Sequence, residues 1–200
     1  MVKLILLGGG KIGSAITAML GSTGDYQLTV ADRDAKSLER LPTKNTRTQV
    51  LDVADPAALR AAIKGHDMVV SAMPYHLTPV IAGAAKECRA HYFDLTEDVE
   101  STRVVKALAK GADTAFVPQC GLAPGFISIA AHDMTKKFET LRDVHMRVGA
   151  LPEYPTNALK YNLTWSTDGL INEYCNPCEA IVDGHLREMP ALEEMEHFSL

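Results

Sequence analysis

Apolar positions follow two rhythms along the first two-thirds of the chain. Short continuous runs alternate with stretches whose apolar residues recur every three or four positions. The run at 2–7 is continuous and apolar-rich, as in a parallel strand covered on both faces. Ile12, Ile16, Met19 and Leu20 then fall at helical spacing. Further strands are predicted at 27–31, 46–52, 68–72, 92–95 and 114–118. Helices are predicted at 35–41, 77–88, 99–110 and 125–138. Between the third and fourth strands, Asp55-Pro56 reads as a cap followed by proline at the first helical position. Leu59 and Ile63 give that helix its apolar face, and Gly65 fits its end.

Strand–helix alternation at this spacing predicts an α/β fold, a doubly wound parallel sheet of Rossmann type. Right-handed crossovers would gather the carboxyl ends of the strands on one edge, where ligands bind. Beyond Leu141 the rhythm changes. Residues 144–148 alternate as a strand would, 158–165 is a further candidate strand, and 166–173 a short helix. Pro152, Pro155, Pro177 and Pro190 interrupt this part. The expected organisation is a dinucleotide-binding domain over 1–140 and a partial substrate or dimerisation domain, mixed α/β, over 141–200. With no closing pattern, the second part reads as the start of a larger domain.

Composition narrows the function classes. Of the 200 residues 46% are hydrophobic and 22% charged, as in ordinary globular proteins. The net charge of −5 is spread along the chain without a basic block. Nucleic acid is therefore not an expected partner. The apolar run at the N-terminus is too short for a signal h-region or a membrane span. A cytoplasmic protein without a membrane partner is expected. The four cysteines suggest reduced thiols rather than a disulfide framework.

Gly8-Gly9-Gly10-Lys11-Ile12-Gly13 follows the first strand and opens the first helix, in the pattern G-x-G-x-x-G. Gly8 permits a tight turn, Gly10 lets backbone approach a pyrophosphate, and Gly13 allows the helix to pack close on the strand. The helix N-terminus offers free N–H groups to phosphate. Asp32 ends the second strand, 19 residues on from Gly13. A carboxylate there accepts from adenosine ribose hydroxyls and repels a 2′-phosphate, so NAD is expected over NADP. Arg33 pulls the other way, because a guanidinium recruits that phosphate. Asp52 and Val53, after the third strand, are candidates to contact the adenine. A capped turn explains Asp52 nearly as well.

Two later segments carry a family pattern. Ser71-Ala72-Met73-Pro74-Tyr75 follows the fourth strand, and Cys120-Gly121-Leu122-Ala123-Pro124-Gly125 follows the sixth. Val148-Gly149-Ala150-Leu151-Pro152, Tyr161-Asn162, Trp165-Ser166, Gly169-Leu170 and Asn176-Pro177 continue it. With the glycine turn, these make the whole chain resemble the saccharopine dehydrogenase-like oxidoreductases. Ala123 stands where saccharopine-forming reductases commonly carry aspartate, which resembles the L-lysine 6-dehydrogenase branch.

The resemblance implies a Rossmann domain followed by a mixed α/β domain, and a homodimer or larger homo-oligomer. It also implies NAD-dependent oxidation at the C–N bond of an amino acid or amine, through an imine to an aldehyde. The alternatives are an NADPH-dependent imine-forming reductase, of saccharopine or carboxynorspermidine type, and a dinucleotide-binding module without turnover. In the resemblance, Ala72, Met73, Pro74, Cys120 and Gly121 border the cofactor together with the turn.

Proton transfer needs residues at the strand carboxyl ends. Tyr75, His76 and Asp94 are the catalytic candidates, His76 as a base for the amine. Glu97 is a candidate for the substrate ammonium, though acidic residues at 94–98 also suit a helix start. Tyr161 and Trp165 are candidates to line the substrate pocket. Cys120 reads more readily as a buried small hydrophobe than as a nucleophile. Cys175 and Cys178 have the spacing of a dithiol or half a zinc site. Without a second pair, no metal is expected.

Overall fold

The structure is a computed structural model that describes residues 1–41, 45–149, 152–154, 156–158, 163 and 166–193. The chain divides into two compact units, Met1–Asn162 and Leu163–Leu200. The division expected near residue 140 falls inside the first unit.

The first unit is built on a six-stranded sheet. Its strands are β1 (Val2–Leu7), β2 (Tyr26–Asp32), β3 (Thr46–Val50), β4 (Met68–Ser71), β5 (His91–Asp94) and β6 (Phe116–Val117). They pair in the order β3-β2-β1-β4-β5-β6, and every pair is parallel. The helices are α1 (Lys11–Thr23), α2 (Ala35–Glu39), α3 (Pro56–Ile63), α4 (Thr78–Glu87), α5 (Val99–Ala109) and α6 (Phe126–Thr135). This is the expected Rossmann-type sheet. Its order reverses between β1 and β4, which opens a crevice at their carboxyl ends.

The core explains why the first strand is apolar at every inner position. Ile5 and Leu7 join Val69, Tyr92, Leu59, Ile63, Ile81 and Val105 on one face. Leu4 and Leu6 join Leu28, Val30 and Leu38 on the other. A strand buried on both sides has no polar face to spare.

Helix α1 differs from its expected apolar face. Ile16 and Leu20 pack on the sheet, while Ile12 and Met19 are exposed. The helix turns its small residues inward instead, with Gly13 and Thr17 buried. The Thr17 hydroxyl donates to the Gly13 carbonyl at 2.6 Å. Close approach of helix and strand, not side-chain bulk, sets this face. Helix α3 starts as read: Asp55 accepts from the Ala57 and Ala58 amides, with Pro56 behind it.

One reading beyond residue 140 is corrected. Residues 144–148 form no strand, and Val144, Met146 and Val148 are about half exposed. An alternating segment becomes a strand only beside a partner edge, and no described strand pairs with it. The candidate strand at 158–165 lies largely outside the described residues.

The second unit holds α7 (Thr167–Cys175) and a hairpin of β7 (Cys178–Val182) and β8 (His185–Met189). Ser166 caps α7 by accepting from the Gly169 amide. Asp183 and Gly184 both take positive φ, the conformation that joins two strands in the tightest hairpin turn. Among the described residues, no helix is long and apolar enough to cross a membrane.

Candidate functional site

The site is assembled on the carboxyl edge of the sheet. Gly8 leaves β1 with φ +103°, and its amide donates to Ala31 at 2.8 Å. A Cβ on Gly8 would stand 2.9 Å from the Ala72 carbonyl oxygen. A Cβ on Gly13 would fall on the Gly8 carbonyl. These two positions therefore require glycine for packing inside the protein. Gly10 is different: a Cβ there would meet nothing within 4 Å. Its backbone faces open space at the start of α1, beside Lys11 and Ile12. A cradle left free of side chains next to a helix N-terminus fits a dinucleotide pyrophosphate.

Asp32 is half-buried, and both its oxygens are engaged. Oδ2 accepts from the Gly9 amide at 2.7 Å, and Oδ1 from the Asp34 amide at 2.9 Å. The carboxylate thus ties the glycine turn to the end of β2. Gly9 is the residue the spacing argument missed, and the acidic end of β2 beside three successive glycines was its signal. Arg33 is exposed, and no hydrogen bond or ion pair engages it among the described residues. Asp52 is exposed and accepts from the Ala54 amide at 2.9 Å, so it closes a local turn. Val53 is buried in the core, which keeps its side chain away from the edge.

After β4 the chain runs through Ala72, Met73 and Pro74 into a single 3₁₀ turn, Tyr75–Leu77. Met73 Sδ would lie 3.3 Å from a Cβ on Gly8, so this segment adjoins the glycine turn directly. Tyr75 is half-buried and His76 exposed, their rings meeting edge to face at 6.0 Å. The Ser101 hydroxyl donates to the Tyr75 carbonyl at 3.2 Å.

The acidic residues after β5 divide their roles. Asp98 caps α5 by accepting from the Ser101 amide at 2.7 Å. Thr96 Oγ1 accepts from the Asp98 amide. Glu97 is half-buried at the same turn. Asp94 is 1% exposed. Its Oδ1 accepts from the Thr96 amide at 3.0 Å and the Gln119 amide at 3.1 Å. Its Oδ2 has no hydrogen-bond partner. The hydroxyls of Ser71, Tyr92 and Thr102 are likewise buried without one. Desolvation raises the Asp94 carboxyl above the usual value of 3.8, against the pull of its two backbone donors. Burial first, and Asp94 second, push the Tyr92 hydroxyl far up.

Gln119 has φ +63°, and the Cys120 amide donates to the Asp94 carbonyl at 2.7 Å. Cys120 is exposed, which corrects the buried reading. The turn at Gln119 lifts it out of the sheet, and its thiol donates to the Val117 carbonyl at 3.3 Å. Its surroundings raise the thiol's pKa, by desolvation and then by Asp94, so the thiolate form is disfavoured. Gly121 is half-buried and its carbonyl accepts from the Phe126 amide at the start of α6.

The structure thus brings Gly8, Gly10, Gly13, Asp32, Ala72, Met73, Asp94, Cys120 and Gly121 to one edge. Tyr161 and Trp165 lie outside the described residues. Cys175 and Cys178 are exposed in the second unit. Among the described residues, no three metal-ligating side chains form a group.

The chain is similar to several known proteins. Residues 4–117 match the saccharopine dehydrogenase NADP binding domain, and residues 121–199 the saccharopine dehydrogenase C-terminal domain. Alpha-aminoadipic semialdehyde synthase of Mus musculus is 26% identical over 193 residues, covering 91% of this chain and 20% of that protein. Saccharopine dehydrogenase [NADP(+), L-glutamate-forming] of Schizosaccharomyces pombe is 25% identical over 210 residues, covering 98% and 45%. The solved saccharopine dehydrogenase (L-Glu forming) of Saccharomyces cerevisiae superposes with a TM-score of 0.69 at 22% identity, covering 95% of this chain and 44% of that one. This chain spans less than half the length of these relatives.

Proposed function

The chain belongs to the saccharopine dehydrogenase family, and on that premise we propose that it holds NADP(H) for an oxidoreductase acting at an amino-acid C–N bond. The observation that carries the cofactor reading is the division of labour at the end of β2. Asp32, on which the preference for NAD rested, spends both oxygens on backbone amides. Arg33 beside it is exposed and uncommitted, and so available to a 2′-phosphate. The relatives named above, among them an NADP(+)-dependent saccharopine dehydrogenase, support this direction.

In this reading the Gly10 backbone and the first amides of α1, at Lys11 and Ile12, hold the pyrophosphate. Ala72, Met73 and Pro74 flank the nicotinamide half on one side, Cys120 and Gly121 on the other. The bound cofactor supplies a hydride to an imine carbon, or accepts one from the carbon bearing the amine. The protein provides the proton traffic. His76, exposed after β4, takes the proton from the amine nitrogen in oxidation and returns it in reduction. Tyr75 orients the imidazole through its ring contact. Glu97 binds a substrate ammonium. Asp94 is too deeply buried to touch substrate.

The substrate class is a secondary amine formed between two amino acids, as in saccharopine. Purified protein with NADP⁺ and saccharopine should generate NADPH, and His76→Ala should lower that rate roughly 100-fold. If lysine with NAD⁺ reacts and saccharopine with NADP⁺ does not, the second reading replaces the first. That reading is an L-lysine 6-dehydrogenase, favoured by Ala123 in the segment Gly121-Leu122-Ala123-Pro124-Gly125.

A further inference from the structure

Asp94 grips the turn that follows β6 twice. Its side-chain Oδ1 takes the Gln119 amide at 3.1 Å, and its own backbone carbonyl takes the Cys120 amide at 2.7 Å. Two successive amides of one segment are thus fixed by a single residue of the neighbouring strand. The turn needs such a restraint, because Gln119 sits at φ +63°, a conformation that a residue with a Cβ adopts only when its surroundings impose it.

Gly121 follows immediately and leaves little room. A Cβ on Gly121 would lie 3.2 Å from the Pro124 carbonyl oxygen and 3.4 Å from that of Leu95. The position of Cys120 and Gly121 is therefore set from beneath, by Asp94. The Asp94 carboxylate lies beside the Tyr92 hydroxyl, which also neighbours the Ser71 hydroxyl, and all three are buried. Ser71 lies directly across from Asp94 in the β4–β5 register. Nothing in this arrangement reaches solvent, which leaves no route for Asp94 to act on substrate by contact.

We propose that Asp94 is a positioning residue: it clamps the turn at Gln119 and Cys120, and so places Cys120 and Gly121 where the nicotinamide half of the dinucleotide binds. This rests on the dinucleotide reading above. In an open α/β sheet the two halves of a dinucleotide lie on opposite sides of the strand-order reversal. The adenosine half is held near β2, far from the clamp, and the nicotinamide half near β4 and β5. Losing the clamp must therefore weaken one half of the ligand and spare the other.

The experiment compares calorimetric titrations with NADPH and with adenosine 2′,5′-bisphosphate, and in parallel NADH with ADP. Asp94→Ala should weaken the intact dinucleotide about tenfold while the adenosine fragment stays within about twofold. Asp94→Asn keeps an acceptor for Gln119 and should bind the dinucleotide within about threefold of the original protein. Equal weakening of dinucleotide and fragment, or no weakening of either, overturns the clamp. An original protein that binds the fragments but no intact dinucleotide also overturns it. Binding of neither overturns the dinucleotide reading itself. If Asp94→Ala does not fold, amide hydrogen exchange of the original protein decides. Gln119 and Cys120 should exchange slowly without cofactor, and exchange at the rate of open loops contradicts the proposal.

Discussion

Gly10 and Gly13 are three residues apart and separate two demands on one turn. Gly13 lacks a side chain because a Cβ would strike the Gly8 carbonyl, whereas Gly10 has free space around it. Gly10→Ala should therefore leave thermal stability within a degree or two of the original, yet weaken NADPH at least tenfold. Gly13→Ala should lower the melting temperature outright. Paired melting curves and titrations check both; a Gly10→Ala chain that binds normally would remove the pyrophosphate from this cradle.

Arg33→Ala should weaken NADPH by about 1.5–3 kcal/mol, the loss of a charged hydrogen bond, and leave NADH unchanged. The glycine spacing and the acidic end of β2 were legible because they depend on chain order. The engagement of Asp32 with Gly9 was not, because it depends on where two loops meet.

Asp94 also carries a pH signature. Its folded-state pKa is raised by burial, so the native state binds a proton more tightly than the unfolded chain. Its contribution to stability is greatest below the ordinary carboxylate value of 3.8 and is lost as pH rises through the folded pKa. Asp94→Asn should abolish that loss. Its melting temperature, relative to the original protein, should rise with pH above about 4 and then level off. A difference that stays flat across that range would contradict a raised Asp94.

At the scale of elements, most of the first unit could be read from rhythm alone. Strands buried on both faces show as unbroken apolar runs, and helices on one face show a 3.6-residue period. The cap of α3 is the clearest local case. Asp55→Ala removes an acceptor used by two amides and should cost about 1 kcal/mol, measurable by urea denaturation. Residues 144–148 show where rhythm alone does not suffice. Their alternation describes a strand in search of an edge, and no described edge meets it. The β7–β8 hairpin went unread although Asp183-Gly184 is a strong turn signal. The charged residues Glu179, Arg187 and Glu188 broke the apolar pattern that strand recognition relies on.

Across the whole molecule, the order β3-β2-β1-β4-β5-β6 explains why residues far apart in sequence share one edge. Gly10, Arg33, Met73, Asp94 and Cys120 come from five different strand ends. Chain order made the edge predictable, while the buried group of Ser71, Tyr92 and Asp94 appears only when β4 and β5 are paired. The family assignment agrees with that edge, since the matched NADP binding domain ends at residue 117, at the close of β6. The central claim is that the edge holds a dinucleotide and prefers the 2′-phosphorylated form. A calorimetric titration of the purified protein with NADPH and NADH tests it most directly. Saturable binding of NADPH, about tenfold or more tighter than NADH, is the expected result; tighter binding of NADH, or binding of neither, would contradict it.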